Sequence, residues 1–221
     1  MFIKNFKKTK CVNGCVLFND NSSYLYWENR NATQDEIEIV DYINKKLNKK
    51  NLSILHIGVG NSYVASNIKF FKKLHGLSIS TNEINYANGL KISNYKSFFL
   101  NKLEKNIFLN NNFSFYDVII DVNLKSFCCC DVSFLKLIQD YSSLLSKGGF
   151  IITGKRGMNW SRQVKPVLKF SLKKFFYKRL KEFDGPKSNL LSINYLKSVA
   201  KKFDLLLYDF KSSNIVTLTK S

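Results

Sequence analysis

The stretch that most constrains this chain is residues 52–90, LSILHIGVGNSYVASNIKFFKKLHGLSISTNEINYANGL. Residues 53–57 form a short β-prone apolar run, which Gly58-Val59-Gly60 breaks. Apolar residues then recur at helical spacing through Val64, Ile68, Phe71 and Leu74. A second strand is expected over residues 77–79, and a second helix from Thr81. A strand that runs through a glycine turn into a helix presents backbone N–H groups to a ligand. Glycine suits such a turn because a Cβ would keep the ligand off the main chain.

Three ligands compete for the turn. A phosphate-binding P-loop needs a Lys-Ser/Thr pair closing it, and Asn61-Ser62-Tyr63 has no lysine. A dinucleotide site needs a third glycine near position 63 and an acid about 20 residues on. Tyr63 and Leu77-Ser78-Ile79-Ser80 supply neither. An S-adenosyl-L-methionine (SAM) site has no pyrophosphate to cradle and asks for less. Two glycines alone do not choose among the three, so the rest of the chain has to.

At 221 residues, the chain is expected to form one domain, residues 34–221, behind an N-terminal extension, residues 1–33. A 45% hydrophobic share fills a sizeable core, no apolar run reaches membrane-spanning length, and no secretory signal is visible. Cys11, Cys15, Cys128, Cys129 and Cys130 are odd in number and partly adjacent. They read as reduced thiols in a cytoplasm rather than a disulfide framework. The formal charge of +19 suits nucleic acid, but arginine occurs only at Arg30, Arg156, Arg162 and Arg179. Base and phosphate recognition leans on arginine forks. The lysines accompany many Asn, Ile, Phe and Tyr residues, all with A/T-rich codons, so nucleic acid is a partner to consider but not the favoured one.

Thr33 and Glu36 form a capping box that opens a helix through Ile37, Val40, Ile43 and Leu47. A short third strand is expected over 97–100, a polar surface excursion over 101–112, and a doubly buried strand at YDVIIDV, 116–122. A helix over 134–145, a strand over 150–153, a helix over 189–203 and strands over 205–208 and 215–218 complete the pattern. Strands alternating with helices imply a mostly parallel sheet covered on both faces, and the short last connection implies an antiparallel closing pair.

With these elements placed, residues 34–219 resemble the class I, Rossmann-like SAM-dependent methyltransferases. HIGVGNS (56–62) stands at the glycine-rich cofactor loop, and HGLSISTNEINYA (75–87) at the second strand and its helix. YDVIIDVN (116–123) stands at the fourth strand, and LLSKGGFIITG (144–154) at the turn into the fifth. The resemblance implies an α/β fold with a seven-stranded, mostly parallel sheet, helices on both faces and an antiparallel C-terminal strand. It implies SAM as cofactor and a methyl transfer as the activity. Gly58, Gly60 and Asn61 would meet the SAM amino acid and ribose, Ser78 and Ile79 the ribose and adenine, and Asn123 the methionyl end or substrate. Three positions depart from the family: His56 replaces an acid, Ser62 a glycine, and Ser78 the acid that takes the ribose hydroxyls. Glu83, one helical turn on, is the candidate substitute.

Methyl transfer from an activated donor needs chiefly orientation, exclusion of water and, for hydroxyl or ammonium acceptors, a base. Asp121 and His56 are the candidate catalytic residues, set against structural roles for each. Tyr26, Trp27 and Arg30 belong to an aromatic patch that is either a lid touching substrate or a segment packing on the sheet. The cysteine run lacks metal spacing and reads as apolar filler, and Cys11 with Cys15 makes only half a site, so no metal is assigned. Residues 165–183 alternate an apolar stripe with lysines; within 165–187 they suit a substrate cap, a peripheral membrane contact or an ordinary solvated helix. The expected acceptor is a small molecule or a glycan- or lipid-linked precursor. RNA methylation through the lysine-rich surface, and a catalytically idle SAM-fold binding protein, are the alternatives.

Overall fold

A computed structural model of the chain describes residues 10–15, 17, 30–46, 51–113, 115–158 and 190–221. Tyr26, Trp27 and the 165–187 segment lie outside the described residues. In chain order the elements are α1 (Gln34–Lys46), β1 (Leu52–Ile57), α2 (Tyr63–Asn67), β2 (Phe71–Ser78), α3 (Thr81–Gly89), β3 (Tyr95–Phe99) and α4 (Ile107–Asn110). They continue with β4 (Tyr116–Asp121), α5 (Asp131–Leu144), β5 (Leu145–Gly154), α6 (Lys155–Met158), α7 (Ile193–Lys202), β6 (Leu205–Asp209) and β7 (Ile215–Lys220). Among the described residues no helix is long and apolar enough to cross a membrane.

The seven strands form one sheet in the order β3-β2-β1-β4-β5-β7-β6. The first five in chain order run parallel, while β7 lies antiparallel between β5 and β6. This is the architecture expected from the sequence. β4 explains the layering: Ile119 packs with Phe134, Leu137 and Tyr141 of α5, while Val118 and Ile120 pack with Ile39, Val40 and Ile43 of α1. Alternate side chains point to opposite faces of a strand, so a run apolar at every position demands a helix on each face.

Several boundaries differ from expectation: the strand expected over 150–153 runs Leu145–Gly154, and the larger difference lies between α2 and β2. α2 stops at Asn67 and β2 starts at Phe71, so Phe71 and Leu74 are strand residues. Val64, Ile68 and Leu74 nevertheless enter the same buried cluster, with Phe71 against it. Both elements turn apolar residues to one core, and their joined spacing imitates a single helix. The expected surface excursion also differs, since Leu103, Ile107 and Phe108 are buried there.

Parallel strands bring their carboxyl ends to one rim. The order reverses between β1 and β4, which lead to opposite edges of the sheet; ligands of open α/β sheets bind in the crevice outside such a reversal. A helix that returns directly into a parallel strand runs against it, so α1 places its first turn at the same rim.

Candidate functional site

A cavity of about 660 Å³ opens at this rim, within the roughly 300–1,000 Å³ typical of small-molecule sites. It is lined by the ends of β1 (Ile57, Gly58, Gly60), β2 (Leu77, Ser78, Ile79) and β4 (Asp121, Val122, Asn123), and by Glu83 of α3. The first turn of α1 closes another side with Gln34, Asp35 and Glu36.

The glycine turn has the geometry that needs glycine. Gly58 and Gly60 have φ of +75° and +50°, and a Cβ built on either meets no atom within 4 Å. The backbone therefore borders open space that a side chain would fill. The Gly58 N–H donates to the Leu77 carbonyl at 2.8 Å, tying the turn to the end of β2. Asn61 does not line the cavity. Its Nδ2 donates to the Arg30 carbonyl at 3.0 Å, fastening the segment before α1 across the turn.

At the end of β2 the acid comes from the next helix. Glu83 is buried, and its Oε2 accepts from the Ser78 hydroxyl at 2.5 Å. Ser78 Oγ in turn accepts from the Ser80 N–H at 3.0 Å, and the Ser80 hydroxyl caps α3 by accepting from the Glu83 N–H at 3.4 Å. Three short-range bonds thus hold the Glu83 carboxylate against the strand end, in the lining of the cavity.

Asp121 and Lys102 meet at the cavity wall. Lys102 Nζ lies 2.7 Å from Asp121 Oδ2 and donates to the carbonyls of Asn123 and Leu124 at 3.2 and 3.1 Å. The Tyr141 hydroxyl donates to the same Oδ2 at 2.9 Å. Burial pushes the Asp121 carboxyl up, against the pull of Lys102. Lys102 sits in the stretch expected to be a surface excursion; one lysine among many gives no local signal of an ion pair made across the fold.

Asp35 was not among the candidates, and it lines the cavity. It is 1% exposed; Oδ2 accepts from the Gly157 N–H at 2.9 Å, while Oδ1 accepts no hydrogen bond among the described residues. Burial pushes its carboxyl up, opposed by the Gly157 N–H and Arg156. A buried carboxylate oxygen without a partner is uncommon and calls for a functional explanation. The sequence signal was available: Asp35 follows the capping Thr33, and a helix entering a parallel strand begins at the ligand rim. Beside it the capping box is formed, with the Thr33 N–H donating to Glu36 Oε2 at 2.6 Å and the Glu36 N–H to Thr33 Oγ1 at 3.2 Å. Arg30 lines the cavity and pairs with Glu36 at 2.9 Å.

His56 does not line the cavity. It is 1% exposed inside β1, and burial holds its imidazole down to about 4. His75 lies within β2, its Nδ1 2.7 Å from the Tyr116 hydroxyl among Phe98 and Phe113, and burial likewise brings it down to about 4. Between the ordinary value near 6.5 and 4, the unfolded chain binds a proton at each ring that the folded chain refuses, so stability falls as pH falls. For His56 the loss is on the order of 3 kcal/mol across that window. Denaturant melts of the wild type and His56→Gln between pH 6.5 and 4.5 should show a shallower slope for the variant. Parallel slopes would mean the ring is not buried neutral.

Away from the cavity, the fold brings two groups of cysteines together. Cys11, Cys15, Cys129 and Cys130 place their sulfur atoms within 4.8 Å of one another. Cys128 is fully buried beside α5, Cys11 is buried in the same cluster, and the other three pack against it. The two halves are far apart in sequence, and only the fold joins them.

No family model matches the chain, and no curated protein does. Solved structures match over nearly the whole chain. Magnesium protoporphyrin IX methyltransferase from Synechocystis PCC 6803, solved with SAH, superposes with a TM-score of 0.62 at 13% identity, covering 91% of this chain and 95% of that one. The sugar N-methyltransferase KedS8 from Streptoalloteichus sp ATCC 53650 gives 0.61 at 7%, covering 92% and 94%. The amino pentose methyltransferase CalS10 from Micromonospora echinaspora, solved with SAM, gives 0.58 at 8%, covering 93% and 98%. At these identities the likeness is one of architecture, and the chain has the Rossmann-like fold of the class I SAM-dependent methyltransferases.

Proposed function

We propose that this protein is a SAM-dependent methyltransferase acting on a small-molecule acceptor, a class that takes in glycan- and lipid-linked precursors. The observation that carries the reading is the cavity at the strand ends, where two positive-φ glycines border open space and Glu83 supplies a fixed carboxylate. The residues fit the cofactor: the Gly58–Gly60 backbone leaves room for its amino acid and ribose, Glu83 offers acceptors to the ribose hydroxyls, and Ile79 an apolar edge to adenine. The three solved neighbours named above are methyltransferases of small molecules, two of them of sugars.

When bound, SAM supplies a methyl group already activated on a sulfonium. The chain's own work is to hold an acceptor in line with it, keep out water and take up the acceptor's proton. Asp35 suits the last task, because burial raises its carboxyl and Oδ1 accepts no hydrogen bond among the described residues, while Gly157 holds Oδ2. Asp121, its Oδ2 engaged by Lys102 and Tyr141, shapes the wall beside the reacting groups. Arg30 and Asn123 border the acceptor side.

Isothermal titration with SAM and SAH is the direct test. Both should bind saturably to the wild type, and Gly58→Val should abolish binding, because its side chain would occupy the nucleoside's place. Absence of saturable binding to the folded wild type overturns the proposal and leaves a SAM-fold protein without the cofactor. Once a small-molecule screen supplies an acceptor, Asp35→Asn should keep SAM affinity and lose roughly 10²–10⁴-fold in kcat. Undiminished turnover would remove Asp35 from the mechanism.

A further inference from the structure

Four cysteines converge where two separate segments meet. Cys11 and Cys15 flank a tight turn in which the Gly14 N–H donates to the Cys11 carbonyl at 2.9 Å and the Cys11 N–H to the Cys15 carbonyl at 3.0 Å. Gly14, at φ +79°, gives the turn its left-handed corner. Cys129 and Cys130 lie at the start of α5, where Cys130 is the helix N-cap. The sulfur atoms of these two neighbouring residues are 4.0 Å apart. A tetrahedral ion with zinc–sulfur bonds of about 2.3 Å places its ligands about 3.8 Å from one another. All four sulfurs lie within 4.8 Å of each other. That spacing suits one ion, whereas an iron–sulfur cluster would hold its cysteines farther apart, around several metal atoms.

We infer that Cys11, Cys15, Cys129 and Cys130 form a structural tetrathiolate site for a single zinc ion. The ligand set is complete, and soft thiolates in a tetrahedral array favour zinc among the common divalent ions. The surroundings are those of a thiolate site. The Asn13 N–H donates to Cys11 Sγ at 3.3 Å and the Ser133 N–H to Cys130 Sγ at 3.4 Å, bonds that fix ligand direction and offset negative charge on sulfur. The four cysteines border the apolar cluster beside α5, and their sulfur atoms converge on one point at its edge. Cys11 is buried and the other three are partly exposed, which shields an ion while leaving it a route in. Binding releases the thiol protons to solvent and leaves the metal's oxidation state unchanged.

The site also has a structural consequence. Lys10 and Cys11 pair with residues 104 and 105, the Lys105 N–H donating to the Lys10 carbonyl at 3.4 Å. Lys102 of that same loop holds Asp121, and Ser126 and Phe127, just before the cysteines, line the cavity. Zinc would therefore clamp the N-terminal segment onto two loops that wall the cavity.

The test uses the full chain purified under reducing conditions and supplied with Zn²⁺. Elemental analysis after desalting should find one zinc per chain. Cys15→Ser and Cys129→Ser should each lower the zinc retained against a competing chelator at least tenfold, while Cys128→Ala retains it. Should the serine variants fail to fold, Co²⁺ substitution in the wild type serves instead, and should give the visible ligand-field bands of a tetrahedral tetrathiolate. Free thiols with no retained zinc, iron in its place, a disulfide within the quartet, or full retention by Cys15→Ser would each overturn the site. None of these readouts depends on SAM or an acceptor.

Discussion

Replacing Glu83 by alanine should weaken SAM binding by roughly 10–150-fold, the worth of about 1.5–3 kcal/mol for hydrogen bonds to a charged group. The expectation follows from where the carboxylate sits. Its Oε2 is held by Ser78 at 2.5 Å, and the residue lines the cavity at the end of β2. Ser78→Ala removes the orienting hydroxyl but leaves the charge, so it should cost less, about 0.5–1.5 kcal/mol of affinity. Ser78→Asp is the sharper probe. It puts a second carboxylate within hydrogen-bond distance of the first, and like charges at that range resist joint ionisation. The single variant should bind SAM worse than wild type, and combining it with Glu83→Ser should recover much of the loss by moving the acid back to the strand. Titration calorimetry on variants whose far-ultraviolet spectra match wild type would settle the order. If Glu83→Ala bound SAM as tightly as wild type, the acid at this strand end would have no part in cofactor recognition.

Gly157→Ala should cost more in stability than any conservative surface change. A Cβ at position 157 would lie 1.9 Å from the Val122 carbonyl oxygen, 2.8 Å from its carbon and 2.6 Å from Asn123 Oδ1. The first two are backbone atoms at the end of β4, so relief requires moving the strand that carries Asp121. Overpacking a well-filled site costs typically 1–3 kcal/mol, and a clash with main chain belongs at or above the top of that range. For a chain of this size about 3 kcal/mol lowers Tm by roughly 6–12 °C. Turnover should suffer as well, since the Gly157 N–H holds Asp35. Gly89→Ala is the control with the opposite sign: nothing lies within 4 Å of its Cβ, and its φ is not left-handed. Lost chain entropy in the unfolded state should make it neutral or stabilising by about 0.4–1 kcal/mol. A Gly157→Ala protein melting with the wild type would mean that the contact between α6 and β4 is looser than it looks.

What could be read from the sequence was whatever depends on neighbours along the chain. β4 is legible because an unbroken apolar run bounded by polar residues has few other uses. The capping box at Thr33 and Glu36 is legible because both partners lie within one turn. The boundary between α2 and β2 was misplaced because residues from both elements pack into one cluster and share a spacing. The Lys102–Asp121 pair and the cysteine quartet were out of reach for a different reason. Their partners meet only after the sheet has assembled, and neither lysines in a lysine-rich chain nor adjacent cysteines carry a local mark of that meeting. Glu83 falls between: its distance from the strand end was readable, but only the Ser78 hydroxyl bond shows how it is aimed.

The insertion of β7 between β5 and β6 bears on how the molecule comes to be made. Residues 145–154 leave the ribosome well before residues 215–220, the strand that covers their open edge. Until then β5 offers a row of unpaired N–H and C=O groups to any extended neighbour, the hazard that native sheets elsewhere blunt with charge or cover. Closing that gap is a contact between distant parts of the chain, which is slow to form. Nascent chains halted before residue 215 should therefore depend on chaperones, and the finished sheet should not.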